Sequence, residues 1–156
     1  MRKRLSLVCL AAVLAACSGD DKCLYGSQCD LQDCTYTTLE CDYYSPPENP
    51  TRAIVVNYLR MLDAGREWAG KLSLEFPGED PISGQKIEGQ DLLDRVMISG
   101  VGSGSLWPEV ESGTCEITKG GDELDKPLEG KCGFKFVNGR FLTACFDCTL
   151  VSALPP

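Results

Sequence analysis

The sequence predicts an all-β fold, an antiparallel β-sandwich or small barrel of about six or seven strands that is stapled by disulfides. Several short segments alternate apolar and polar residues with a period of two, and turn signals separate these segments. No long stretch shows helical periodicity. The chain also has ten cysteines in 156 residues, a density typical of domains that depend on disulfides.

Residues 1–16 have the layout of a secretory signal peptide. Three basic residues, Arg2, Lys3 and Arg4, precede an apolar run from Leu5 to Cys17 that is interrupted only by Ser6. As a helix this run spans about 20 Å, whereas a membrane-crossing helix needs about 20 residues. We therefore expect export and removal of residues 1–16 rather than a membrane span.

The end of this run, Leu14-Ala15-Ala16-Cys17, resembles the lipobox of bacterial lipoproteins. The resemblance implies cleavage before Cys17, a diacylglyceryl group on its thiol, and a covalent lipid instead of a cofactor. Two or three acyl chains hold a protein stably at a bilayer, at about 0.8 kcal/mol per buried CH₂. In such lipoproteins, Asp directly after the lipidated cysteine favours retention at the inner membrane. Ser18 stands at this position here, so the resemblance implies the outer membrane. The alternative is an ordinary signal peptide with a coincidental cysteine.

The mature chain is acidic and has no histidine. Three of the 15 Lys and Arg residues lie in the signal peptide, so the net charge falls from −8 to near −11. This charge predicts that nucleic acid is not a partner, and that acyl chains make the membrane contact. The lack of histidine removes Ser–His and Cys–His catalysis and imidazole zinc sites. We therefore expect no metal and no enzymatic activity.

After Cys9 is removed and Cys17 is lipidated, eight cysteines remain in two clusters of four. The first cluster defines a cysteine-rich knot at residues 23–41, which follows a lipidated tether at 17–22. A proline-rich linker at 42–52 then leads to a β-rich domain at 53–156. Two disulfides within each cluster are the simplest arrangement. The clusters are Cys23, Cys29, Cys34 and Cys41, and Cys115, Cys132, Cys145 and Cys148.

Four of the five tyrosines lie in or beside the knot: Tyr25, Tyr36, Tyr43 and Tyr44. A segment of this size has too little room to bury them all. Exposed amphipathic rings suit contact with a protein or a sugar. The alternative is that they cover the disulfides or dock onto the main domain.

The segment 53–62 is compatible with a strand or a helix, and Ile54-Val55-Val56 favours the strand. The next strand follows a hairpin turn at Asp63–Arg66. In it Trp68, Leu72, Leu74 and Phe76 share one parity and are therefore expected to face inward together. Further candidate strands lie at 85–88 and 95–98.

Asn138-Gly139 predicts a two-residue type I′ hairpin turn between the last two strands. In that register Val137 faces Arg140, and Cys132 faces Cys145 in a non-hydrogen-bonded pair. Such pairs bring Cα atoms to about 4.5 Å, within the range of a disulfide. The sequence therefore predicts Cys132–Cys145, which leaves Cys115–Cys148 by elimination.

Two motifs with possible chemistry have structural alternatives. Cys145-x2-Cys148 has the spacing of redox and zinc motifs, but residues three apart on a strand face opposite sides. Structural disulfides are the preferred interpretation. Glu109 and Glu111, beside Trp107, are the best candidates for the two carboxylates of a glycoside hydrolase, which lie about 5–10 Å apart.

The leading hypothesis is a lipid-anchored envelope protein that acts as a non-catalytic binding or structural module. Its partners would be the membrane, through the acyl chains, and an envelope protein or glycan. The first alternative is a lipid-anchored glycan hydrolase that uses Glu109 and Glu111. The second is a protease inhibitor, which the density of disulfides permits.

Overall fold

A computed structural model describes residues 23–45, 51–101 and 107–152. The lipobox with Cys17, the tether and the prolines of the linker lie outside these ranges, so the predictions made for them stay predictions. Within the described ranges, no helix is both long and apolar enough to cross a membrane.

The described chain is mostly β, with nine strands and one seven-residue α-helix. A four-residue 3₁₀ helix, Ser27–Asp30, follows the first strand. In chain order, the elements are β1 Leu24–Tyr25, β2 Thr38–Tyr44, β3 Arg52–Leu62, β4 Gly65–Phe76, β5 Lys86–Glu88, α1 Gly89–Arg95, β6 Val96–Val101, β7 Val110–Lys119, β8 Pro127–Phe136 and β9 Phe141–Ser152.

The strands form one curled sheet with the shape of a half-barrel. The order across the sheet is β5-β7-β8-β9-β2-β3-β4-β6. The two-residue strand β1 is not part of this order but also pairs with β9. The predicted all-β class and disulfide stapling are confirmed, but the strands number nine in the described residues, not six or seven. Neighbours are antiparallel except β2 and β9, which run parallel.

The helix α1 connects the two ends of the sheet. It follows β5 at one end of the strand order and precedes β6 at the other. It packs against β7 and β4, and the Leu92 side chain is fully buried. A helix this short is not stable alone in water, so its packing against these strands holds it in place.

The hairpin of β3 and β4 supplies one wall of the core. Ile54 and Val56 on β3, and Leu72, Leu74 and Phe76 on β4, are all buried. The strand prediction for residues 53–62 is confirmed. The turn is Asp63-Ala64, since Leu62 pairs with Gly65.

Residues 23–44 belong to the same sheet and core as the rest of the chain, which corrects the prediction of a separate knot. β2 lies between β9 and β3, and it extends through residues 42–44 of the predicted linker. On β2, Leu39, Cys41 and Tyr43 pack in or against the core. Glu40 and Asp42 lie on the opposite, outer face of the strand. This alternation is the pattern of a strand with one buried face.

The turn after β8 corrects the predicted register by one residue. Gly139 has a φ of 78°, but Asn138 does not have the positive φ that a type I′ turn requires. The Phe136 amide donates to the Arg140 carbonyl at 2.9 Å, which closes a loop of three residues. Cys132 consequently faces Ala144, and Cys145 faces Lys131.

Because a shift of one residue moves a side chain to the other face of a sheet, Cys132 and Cys145 point to opposite sides. The predicted Cys132–Cys145 and Cys115–Cys148 disulfides are therefore wrong. Cys132 bonds Cys115, its direct partner across β7 and β8. Only one disulfide, Cys29–Cys34, lies within the first cluster. The other two connect the clusters: Cys23–Cys145 and Cys41–Cys148.

Tyr58 connects β3 to β9. Its buried hydroxyl donates to the Cys145 carbonyl at 2.7 Å, and its ring packs edge-on against Tyr36 at 5.1 Å. Burial, with a smaller contribution from Tyr36, raises the pKa of the Tyr58 hydroxyl well above its ordinary value. The folded state therefore keeps this proton after the unfolded state has released it.

We expect Tyr58→Phe to lower the free energy of unfolding by about 1–2 kcal/mol at pH 7, because the Cys145 carbonyl loses its donor. A raised pKa stabilises fully below about pH 10 and progressively less above it. The difference between wild type and variant should thus shrink by about 1.4 kcal/mol between pH 7 and pH 11. Urea unfolding at both values measures it, and Tyr44→Phe at an exposed ring is the control. A difference that is the same at both pH values would contradict the prediction.

Candidate functional site

A β-bulge in β4 turns Trp68 to the outside of the sheet. Gly70 pairs with Tyr58 and Trp68 pairs with Leu59, so Ala69 is an extra residue without a partner in β3. Leu72, of the same parity as Trp68, is buried, whereas Trp68 is 39% exposed. The prediction that Trp68 faces inward with the leucines is wrong, because the bulge reverses the alternation at this point.

Close packing at Gly70 accompanies the bulge. A Cβ atom at this position would lie 3.1 Å from the Leu24 side chain and 3.7 Å from the Trp107 ring. The glycine therefore lets β4 approach the core side chains more closely than a larger residue would. The β-bulge at Ala69 directs the indole of Trp68 outward.

A chain of hydrogen bonds across three strands fixes the orientation of Trp68. The indole Nε1–H donates to Asn57 Oδ1 at 3.0 Å, and Asn57 Nδ2 donates to Asp42 Oδ2 at 2.8 Å. An indole nitrogen only donates and a carboxylate only accepts, so the direction of the amide is determined. Asn57 is only 6% exposed, and these bonds satisfy its buried amide.

These residues line a concavity of about 300 Å³ on the outer face of β2, β3 and β4, which we call the Trp68 pocket. This volume is at the lower end of small-molecule sites. Arg66 pairs with Glu40 at its rim, while the Lys71 ammonium makes no ion pair within the described residues. The lining consists of Glu40, Asp42, Asn57, Leu59, Arg66, Trp68 and Lys71.

The four tyrosines proposed as a binding surface have different environments. Tyr36 is buried, and its hydroxyl accepts a hydrogen bond from the Cys23 amide at 2.8 Å. Tyr43 is partly buried against the core. Tyr25 and Tyr44 are exposed. Tyr25 lines a concavity with Tyr36 and the Cys29–Cys34 disulfide, whereas Tyr44 is outside that lining.

The two candidate catalytic carboxylates do not meet at one site. Glu109 lines a concavity with Asp94 and Trp107, in which Glu111 takes no part. Glu111 instead pairs with Lys135 at 2.6 Å. Trp107 is 8% exposed and packs edge-on against Phe136.

The cysteines of the described chain are structural. All eight of them form disulfides, including Cys145 and Cys148 of the CxxC motif. Across residues 23–45, 51–101 and 107–152, no group of three or more Cys, Asp or Glu residues is placed to hold a metal ion.

The sequence reasoning missed Asp42, Asn57 and Trp68 as a group. One available signal was Gly70, because an isolated glycine inside an alternating strand pattern indicates a bulge or a close backbone approach. No signal in the sequence connected Asp42 to this point, since it lay in the predicted linker.

No protein-family model, curated protein or solved structure matches the chain.

Proposed function

We propose that this protein is a lipid-anchored, non-catalytic envelope module that binds its partner in the Trp68 pocket. The observation that carries the proposal is the Trp68–Asn57–Asp42 hydrogen-bond chain beneath an exposed indole. Binding sites commonly combine an aromatic surface with a few fixed polar groups. A ring that is already oriented loses little conformational entropy when a partner binds.

The location of this network favours binding over a purely structural role. Buried polar side chains need hydrogen-bond partners. A network with a purely structural role could supply these partners inside the core, and it would not need an exposed aromatic ring. Here the chain of bonds ends at the carboxylate of Asp42, which lines an open concavity and keeps further acceptor positions. A partner can therefore use both the indole face and the carboxylate.

The proposed anchor lies close to the folded domain in sequence. Cleavage before Cys17 would leave six residues, 17–22, before Cys23, which forms a disulfide with Cys145 in β9. Six extended residues reach at most about 20 Å. Acylation would thus hold the domain near the membrane, with the outer membrane favoured by Ser18, and no basic surface would be needed.

Palmitate labelling tests the anchor. Cells that express the wild-type chain should incorporate a labelled palmitate analogue into the protein, which should fractionate with the envelope membranes. We expect Cys17→Ala to abolish labelling and to release the chain from those membranes. Ser18→Ala, which keeps the acylated cysteine, is the matched control. Labelling that persists in Cys17→Ala would refute lipidation at this residue.

Site-specific photo-cross-linking in intact cells tests the binding site. A photoreactive residue at position 71, in the pocket, should capture an envelope component in the wild-type background. Trp68→Ala should remove that adduct, and a photoreactive residue at position 141, an exposed aromatic position outside the pocket, should not form it. An identical adduct at both positions, or one that survives Trp68→Ala, would refute the site.

A further inference from the structure

We infer that the Trp68 pocket binds an uncharged oligosaccharide, an inference that rests on the proposed binding function and specifies its ligand. Three properties of the pocket indicate this ligand: the charge of its lining, the part of the indole that remains exposed, and the mixture of donors and acceptors around it.

The charges of the lining balance. Two carboxylates, Glu40 and Asp42, and two cations, Arg66 and Lys71, line the concavity. An anionic ligand would be repelled by the carboxylates, and a cationic one by the guanidinium and the ammonium. The pocket therefore has no net preference for either sign of charge, although the chain as a whole is strongly acidic.

The exposed part of Trp68 is hydrocarbon. The single polar atom of the indole, Nε1, is already bonded to Asn57, so a ligand over the ring meets carbon atoms. Leu59, the cross-strand partner of Trp68, lines the same concavity but is almost fully buried, so the indole is the main apolar surface. The ligand must consequently offer apolar C–H groups to this surface, as one face of a pyranose ring does.

The polar side chains supply both kinds of hydrogen-bonding group. Lys71 and Arg66 donate, while the carboxylates of Asp42 and Glu40 accept. A sugar hydroxyl donates one hydrogen bond and accepts others, so neighbouring hydroxyls match such a mixed lining. A ligand with an apolar face and a rim of hydroxyls, and without net charge, is a neutral saccharide.

The two tryptophans make the test specific. The chain contains only Trp68 and Trp107, and Trp107 is buried, so acrylamide quenching of fluorescence reports mainly on Trp68. The protein is the full chain, extracted with its native anchor in a detergent without a sugar headgroup. The probes are the tetrasaccharides of β-1,4-glucose and β-1,4-N-acetylglucosamine, which are neutral, and tetragalacturonate, which is anionic.

At least one neutral tetrasaccharide should protect Trp68 from acrylamide saturably, and tetragalacturonate should bind at least about tenfold more weakly. Calorimetry then compares variants. Trp68→Ala should weaken binding at least about tenfold, while Trp68→Phe, which keeps an aromatic face, should stay within about tenfold of the wild type. Phe141→Ala, at an exposed ring outside the pocket, should leave the affinity unchanged.

Three results would overturn the inference: neither neutral tetrasaccharide binds, tetragalacturonate binds as well as the neutral probes, or Trp68→Ala binds like the wild type. The cross-linking experiment distinguishes failure of the saccharide inference from failure of the proposed binding function. A Trp68-dependent adduct that is a protein, together with no saccharide binding, removes the saccharide and keeps the site. If neither experiment depends on Trp68, the saccharide inference and the proposed binding site are both refuted.

Discussion

Removal of both disulfides that connect the two cysteine clusters, Cys23–Cys145 and Cys41–Cys148, is expected to lower the free energy of unfolding by about 8 kcal/mol. Removal of either one alone is expected to cost only about 3 kcal/mol. The loss of stability in the double removal should therefore exceed the sum of the losses in the two single removals.

The reason lies in how the two disulfides are arranged along the chain. Each closes a long loop, with sequence separations of 122 and 107 residues. When one is present, its neighbour closes only a short ring, because Cys23 and Cys41 are close in sequence, as are Cys145 and Cys148. A ring of about 20 residues restricts the unfolded chain by about 3 kcal/mol, and a loop of about 100 residues by about 4.7 kcal/mol. Either disulfide can thus supply most of the long-loop restriction.

Urea unfolding of paired Cys→Ala variants measures this non-additivity. A sulfate buffer that stabilises all variants equally keeps the double removal within range. Removal of Cys29–Cys34, with a sequence separation of 5, is the control and should cost about 2 kcal/mol in every background. Costs that simply add, near 6 kcal/mol for the double removal, would contradict the loop argument.

The sequence predicted the strands β3 and β4. β3 followed from the β-branched run Ile54-Val55-Val56, and the inner face of β4 followed from the alternation around Leu72 and Leu74. The structure confirms both strands and buries Ile54, Val56, Leu72 and Leu74. The errors arose where one residue shifts the alternation. Asn138 adopts no positive φ, and the resulting three-residue loop changed the partners of the last cysteines. Ala69 is an extra residue in β4, and this hid Trp68.

Both errors have the same physical origin. In a sheet, a shift of one residue exchanges the two faces, yet it leaves the composition and spacing of the strand almost unchanged. The backbone conformation that decides it depends on contacts distant in sequence, such as the packing of Leu24 and Trp107 against Gly70. A period-two pattern alone does not contain that information.

The helix α1 could not be recognised for a different reason. Its seven residues bury one side chain, that of Leu92, and two helical turns with a single buried position show no periodicity. Its location follows from the sheet instead, because β5 and β6 lie at opposite ends of the strand order and are consecutive in the chain. The half-barrel thus determines where this helix must lie.

Leu92→Ala should therefore destabilise the fold by about 3–5 kcal/mol, a typical range for a fully buried leucine whose surroundings do not collapse. The Leu92 side chain lies close to Gly113 on β7, and α1 also packs against β4. Leu93→Ala, at the half-buried neighbouring position, is the matched control and should cost less than about 1.5 kcal/mol. Urea unfolding measures both changes.

Hydrogen exchange distinguishes a local loss of the connection that α1 makes between β5 and β6 from a general loss of stability. The amides of β5 and β6 pair with one strand each, β7 and β4, and α1 connects them. In Leu92→Ala we expect these end strands to lose protection under conditions in which β3, between β2 and β4, remains protected. Equal loss of protection in β3, β5 and β6 would show that Leu92 supports the core generally and does not act by holding the two ends of the sheet together.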